Sequence, residues 1–459
     1  MAETTDSAGV FKSLSRWCGV LVLVALVGGK GFAQIEGSAG QGGTKPFTAT
    51  VAIREGYDSN PLTAPYTPNV SSNPPGKEPQ SSTYTVIQPS LGYNYTGLQA
   101  DAALRYDFSG TYFPSLNQEY DIQYAQTFVG RYTYAIDPRT SFTLANNFLY
   151  TEQPLVAQFV QEGIPPVFNT STINNLATAQ ADYRVTDRLS MITRWNNTLV
   201  YLGGSSGNGN YMNNGAFQQF RLDFTPETVG TFSVDYQLYD YDNDNAYRDN
   251  QQVSFSIGAD HTFLPELFFS GRIGIQLNDN YGLADSSDII SAGGMGSGEQ
   301  EIGATPFASI SSTWNYEENS FVSAGFSMQV QQSNLATQSD SEAYTLSLSW
   351  DHQFTEKFSV IQSFFINLAQ FTPELTQDQT TALFISQGQS PAAAAAQYKG
   401  SGTQTTVTYQ CKFAYQFFPY LSAEAGWSYT SYGSYFDANN GNSGSYTRNQ
   451  VYLGVRGTY

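Results

Sequence analysis

Leu98-Gln99-Ala100-Asp101-Ala102-Ala103-Leu104-Arg105-Tyr106-Asp107-Phe108-Ser109-Gly110-Thr111-Tyr112 is the stretch that decides the fold. Its even positions Leu98, Ala100, Ala102, Leu104, Tyr106, Phe108 and Tyr112 are apolar or small, and its odd positions Gln99, Asp101, Arg105, Asp107, Ser109 and Thr111 are polar. Successive side chains of a strand point to opposite faces, so a period of two is a strand with one apolar and one polar face. Strands in soluble domains average about 5–6 residues, and this one is far longer.

The same alternation runs through Ile257-Ala259-His261-Phe263, Leu267-Phe269-Gly271-Ile273-Ile275-Leu277 and Tyr344-Leu346-Leu348-Trp350. It returns in Phe358-Val360-Gln362-Phe364-Ile366-Leu368 and Val407-Tyr409-Cys411-Phe413-Tyr415-Phe417. Short connections fall near Thr96-Gly97, Asp137-Pro138-Arg139, Thr186-Asp187-Arg188, Thr225-Pro226-Glu227, Leu264-Pro265-Glu266, Tyr316–Asn319, Thr355-Glu356-Lys357 and Phe418-Pro419-Tyr420. Between them lie long polar stretches, among them Asp58–Ser82, Glu152–Thr170, Gly203–Asn213, Gly282–Glu299 and Thr372–Gly402. Strands are expected near 47–58, 82–95, 98–112, 118–135, 140–152, 171–185, 189–203, 213–225, 229–240, 249–263, 267–281, 300–315, 320–333, 342–355, 358–371, 403–418, 421–434 and 446–459. That is an even number, about 18 by the layout of bacterial barrels, with both termini on the short-turn side. One hairpin more or less would give sixteen or twenty. The expected fold is all-β: a single transmembrane antiparallel β-barrel over 47–459, with short periplasmic turns and long extracellular loops.

Composition narrows the function. Only 13% of the 459 residues are charged, against about a quarter in ordinary domains, while Gly, Tyr and Phe number 41, 32 and 31, which excludes disorder. Twenty Lys+Arg against 39 Asp+Glu leave a net charge of −19 and no basic face for nucleic acid. Two histidines and two cysteines leave little for a metal or cofactor site, and none is expected. Both histidines, in Asp260-His261-Thr262-Phe263 and Asp351-His352-Gln353-Phe354, fall on the apolar register near a short turn. An enzyme is not expected.

Residues 1–33 read as a cleaved export signal: Lys12 and Arg16, an apolar run from Trp17 to Gly29, then Gly31 and Ala33. The run, about 13 residues, is too short for a membrane-spanning helix, which needs about 20. Residues 34–46 would form a short periplasmic segment, too short for a plug domain. Past the signal Cys411 is the only cysteine, so no internal disulfide staples the chain.

Two local resemblances add to this. The final strand presents Val451, Leu453, Val455 and the terminal aromatic Tyr459 on one register, and resembles the C-terminal signature by which outer-membrane proteins are taken up by the barrel-assembly machinery. Gly56-Tyr57-Asp58-Ser59-Asn60, following Phe47, Ala49, Val51 and Ile53, resembles the aromatic-Asp-x-Asn segment that ends the first strand of a β-barrel porin family sometimes associated with exopolysaccharide export. That resemblance implies a barrel passing solutes or a secreted sugar polymer. Asx chemistry opening a loop accounts for the same residues without any family.

On the polar register the basic positions are Arg54, Arg105, Arg131, Arg184, Arg194, Arg221, Arg272, Lys412 and Arg456. The acidic ones are Asp101, Asp107, Glu119, Asp121, Asp182, Asp223, Asp235, Asp260, Glu301, Asp351 and Glu424. Charge on a lipid face costs about 2–4 kcal/mol at the midplane, so these should point inward. The pore-lining candidates are Arg105, Arg131, Arg194, Arg221, Arg272 and Lys412, opposed to Asp101, Asp107, Asp223 and Asp235. Opposing charges would set a transverse field across the lumen; ion pairs between neighbouring strands are the other reading. Tyr239–Asn245 alternates carboxylates and amides but lacks the EF-hand Gly and Glu, and Ala392–Ala396 is expected to make one or two helical turns behind Ser390. The function expected is passive diffusion of small hydrophilic solutes, mildly favouring cations or neutral sugars because the chain is acidic. Exopolysaccharide export and a surface-structural or adhesin barrel are the alternatives. The expected surroundings are outer-membrane lipid and lipopolysaccharide.

Overall fold

The computed structural model describes residues 46–63, 79–116, 121–152, 171–203, 210–242, 248–281, 303–332, 340–372, 377–386, 389–395, 398, 400–437 and 445–459. The expected signal and nearly all of the segment after it lie outside the described residues. So do Glu119, Glu301, the 282–299 stretch and part of Tyr239–Asn245.

The strands are β1 (Phe47–Asp58), β2 (Ser82–Thr96), β3 (Ala100–Tyr112), β4 (Ile122–Asp137), β5 (Thr140–Thr151), β6 (Thr172–Arg184), β7 (Leu189–Leu202), β8 (Tyr211–Thr225), β9 (Thr228–Tyr241), β10 (Asn250–Leu264), β11 (Leu267–Asp279), β12 (Gly303–Glu317), β13 (Ser320–Gln332), β14 (Asp340–Thr355), β15 (Phe358–Phe371), β16 (Gly402–Phe418), β17 (Leu421–Phe436) and β18 (Ser445–Thr458). They form one 18-stranded antiparallel sheet in which each strand pairs with the next and β1 pairs with β18. The sheet is therefore a closed barrel. Closure runs from Thr50↔Thr458 to Asp58↔Gln450, and Ala49 and Tyr459 exchange backbone hydrogen bonds at the short-turn rim.

The short turns have a local cause. Thr186, Thr225 and Thr355 each accept, through Oγ1, the backbone N–H groups two and three residues on, and Asp137 accepts from Arg139 N through Oδ1 and from the Thr140 hydroxyl through Oδ2. Such side-chain caps turn the chain back at once. A register shift beside the turn marks the β9, β11, β13, β15 and β17 hairpins, and Asn319 takes the left-handed φ of 58° that Asn tolerates.

Alternation sorts the two faces as the sequence requires. Val51, Ile53, Ile257, Ile273, Leu346, Phe413, Leu453 and Val455 are exposed on the outside. Residues of the opposite register, among them Ala52, Ser256, Gln276 and Gln404, are buried within the barrel. On β5 to β8 the outer face is broken by amides that bond one another: Asn146 Nδ2 to Asn175 Oδ1 and Asn197 Nδ2 to Asn214 Oδ1, each at 2.9 Å. Pairing lowers the cost of placing these groups on an otherwise apolar surface. Both histidines stand on the outer register near the short-turn rim. His261 Nδ1 lies 2.8 Å from the Thr228 hydroxyl, and His352 Nδ1 lies 2.8 Å from the Tyr316 hydroxyl, which also accepts from Trp350 Nε1.

In the longest loop the expected helix forms as α2 (Pro391–Ala395), with the Ser390 carbonyl accepting from Ala394 N. A second helix, α1 (Gln377–Ser386), was not foreseen. Two of its turns carry Thr380 and Phe384 into burial, an i, i+4 pair too short to register as a period in a polar loop.

Candidate functional site: the charged wall of the lumen

The ten pore-lining candidates all sit on the inward register. Each ion pair among the described residues joins side chains of one strand, of adjacent strands or of strands two apart.

The densest cluster spans β16, β17, β18 and β1. Glu424, Gly454 and Arg54 form one row across β17, β18 and β1. Gly454 carries no side chain, so Arg54 lies across it and donates from Nε to Glu424 Oε1 at 2.6 Å. A Cβ on Gly454 would sit 2.6 Å from the Ile53 carbonyl oxygen and 2.7 Å from Arg54 Cγ, which shows how closely the arginine covers that strand. Arg54 also donates from Nη1 to Gln88 Oε1 at 2.9 Å, and its guanidinium lies 5.2 Å from the Tyr452 ring centre. The other oxygen of Glu424 is approached by Lys412 Nζ at 3.5 Å and Arg456 Nη2 at 3.4 Å. Glu424 is 3% exposed and has three cations around it.

Toward the long-loop rim, Asp58 is fully buried. Its Oδ2 accepts from Arg448 Nη2 at 2.6 Å, Arg448 Nε at 2.9 Å and Gln450 Nε2 at 2.8 Å, while Oδ1 accepts from Asn60 N at 2.9 Å. The Asx turn expected in Gly56–Asn60 is thus present, and the same carboxylate ties the first strand to the last. On β3, Arg105 Nε pairs with Asp107 Oδ2 at 2.8 Å. A cavity of about 520 Å³ is lined by Arg54, Arg105, Asp107, Lys412, Arg448 and Arg456 together with Tyr84, Phe113 and Tyr452.

The opposite arc, β7 to β11, has a second hub. Asp260, 6% exposed, accepts from Arg272 Nη2 at 3.1 Å and from the Ser270 hydroxyl at 2.8 Å, and Arg221 Nη2 lies 3.4 Å away. Arg194 stacks 4.5 Å from the centre of Phe217, the residue paired on its other side with Asp235, and Asp235 accepts from Gln237 Nε2 at 2.7 Å. Among the described residues no ion pair holds Asp101, Arg131 or Asp223.

The sequence places Arg54, Arg456, Asp260 and Glu424 on the inward wall without singling them out, gives Asp58 as an Asx residue but not as an ion-pair partner, and carries no sign of Arg448's role. The missing signal was the register. Glycine at 454 between an acid and a base becomes informative only once the three strands are aligned.

No family model matches the chain, and no curated protein matches it. Solved structures similar to it include OccK1 (OpdK) of Pseudomonas aeruginosa, at 8% identity over 90% of this chain and 99% of that one, with a TM-score of 0.44. Others are the siderophore receptor PirA of Pseudomonas aeruginosa, at 9% identity over 91% and 80% with a TM-score of 0.40, and the FrpB iron transporter of Neisseria meningitidis, F3-3 variant, at 10% identity over 90% and 81% with a TM-score of 0.40.

Proposed function

We propose that the chain is an outer-membrane channel for passive diffusion of small hydrophilic solutes. The observation that carries this reading is the closed 18-stranded barrel with exposed aliphatic and aromatic side chains outside and charged or amide side chains inside. In hydrocarbon every backbone group needs an internal partner, which a sheet without edges supplies. Barrels of this strand number are wide enough for water inside. The short-turn rim would face the periplasm and the long loops the exterior. Val451, Leu453 and Val455 on the outer register of β18, with Tyr459 just past its end, are all exposed; they would serve as the insertion signal and then sit against lipid.

A mild preference for cations or neutral sugars follows from the net charge of −19, since the charges on the wall largely compensate one another and the excess acid lies toward the loops. Solute passage over the pore-lining candidates is part of the same reading. In the Gly56–Asn60 segment, Asp58 is engaged in closing the barrel.

The test is single-channel recording of the refolded full-length chain in a planar bilayer under a salt gradient. Stable current steps with a cation-leaning reversal potential are expected. A correctly folded barrel that passes no current would overturn the channel reading.

A further inference from the structure

We infer that the outer face of β5 to β8 is the surface by which two copies of this chain meet side by side in the membrane. The inference goes beyond the channel reading and needs only the barrel's membrane setting. Across β10 to β14 the outer register at mid-strand is apolar, with Ile257, Ile273, Ile310, Phe326 and Leu346 exposed. On β5 to β8 it is not. Asn146, Ala177, Asn197 and Asn214 fall in one row across the four strands. Asn197 stands between Trp195 and Leu199, both exposed on the same register.

These amides are half satisfied. Asn146 donates from Nδ2 to Asn175 Oδ1, and Asn197 from Nδ2 to Asn214 Oδ1. Asn146 Oδ1, Asn175 Nδ2, Asn197 Oδ1 and Asn214 Nδ2 have no hydrogen-bond partner among the described residues, and none of the four atoms is shut off from the surface. Lipid tails neither donate nor accept, so against hydrocarbon these atoms stay idle. A second copy supplies the missing groups, because an amide does both and so matches another amide. The outer register of β5 to β8 carries no charged side chain, so no like charge opposes such a meeting.

Shape agrees with chemistry. Two cylinders approach most closely along a line and diverge on either side of it. On β6 the outer register runs Ala177, Ala179, Ala181, which lets the walls come near. Phe148 on β5 and the exposed Trp195 and Tyr201 on β7 flank that strip and are long enough to fill the widening gap. Between walls already bathed in hydrocarbon, association rests on close packing and polar bonds of this kind.

The experiment co-refolds the full-length chain, labelled with donor or acceptor dye on its N-terminal amine, into phosphatidylcholine vesicles. Energy transfer above the level of random mixing, persisting when the lipid is raised tenfold, is expected. Asn146→Leu with Asn197→Leu should weaken association at least tenfold, Ala179→Trp should abolish it by propping the walls apart, and Ile273→Trp on the opposite arc should leave it unchanged. Each variant is read on barrels that run as the folded band of an unheated gel, and either of the first two suffices if the other does not fold. Random-level transfer from folded wild type would mean that lipid or a different protein covers the face, and would overturn the inference. So would transfer indifferent to both Ala179→Trp and the asparagine pair, or transfer lost equally in Ile273→Trp. Current without transfer would overturn this inference alone, and transfer without current the channel reading alone.

Discussion

Replacing Asp58 with alanine should unfasten the first strand from the last. Asp58 is fully buried and accepts two bonds from Arg448 and one from Gln450, so the truncation leaves a guanidinium only 10% exposed with no ion-pair partner among the described residues. Breaking a buried pair by removing one partner costs about 3–5 kcal/mol. Arg448 keeps a little contact with solvent, which puts the expected loss near the low end, at about 3 kcal/mol. The assay is urea unfolding of the barrel in detergent micelles followed by tryptophan fluorescence, comparing midpoints at an unchanged slope. Asp58→Ala with Arg448→Leu removes both charges and should recover most of the loss, giving a coupling of about 2 kcal/mol or more in the double-mutant cycle. A single-variant cost under about 1 kcal/mol, or a double variant no better than the single one, would refute the reasoning. Asp58→Asn separates the roles, because its amide oxygen can still accept from Asn60 N while the charge is gone.

Gly454→Ala should cost about 1–3 kcal/mol in the same unfolding assay, since the new methyl meets backbone and Arg54 Cγ inside contact distance, whereas Gly433→Ala, with nothing within 4 Å, should change little. Leu453→Arg, at a position 67% exposed on the outer face, should lower the fraction folded into vesicles by about 2–4 kcal/mol, read from the folded band on an unheated gel, while Ser327→Arg on the inward register should not. Thr355→Ala removes the acceptor for Lys357 N and Phe358 N at a short turn and should cost about 0.5–1.5 kcal/mol by urea titration.

The architecture was legible because a barrel leaves its rule in every strand. β15 and β1 run where alternation and turn residues put them, and the differences elsewhere are a few residues at strand ends, as at β8, which starts at Tyr211 rather than 213. The face of each charge was legible for the same reason, since Arg105, Lys412 and Asp235 fall on the register opposite the exposed hydrophobics. What the sequence could not carry was partnership. Asp260 and Glu424 become hubs because residues on neighbouring and next-but-one strands align at particular offsets, and those offsets depend on turn geometry and on the closing stagger. Arg54 reaching Glu424 across Gly454 joins residues 370 apart. No local pattern encodes that meeting.

A ring of strands has no selvedge at which to fray. Any unravelling, whether by heat, by denaturant or by a protease pulling on a terminus, has to begin by parting one whole ladder. The β1–β18 ladder is among the shortest, from Thr50 to Asp58, and both chain ends are attached to it. Two ion clusters rivet that seam, Arg54–Glu424 spanning it across β18 and Arg448–Asp58 joining it directly. The charges that colour the lumen are therefore also the latch of the cylinder, and a mutation that changes the sign of that wall will tend to change how long the cylinder stays shut.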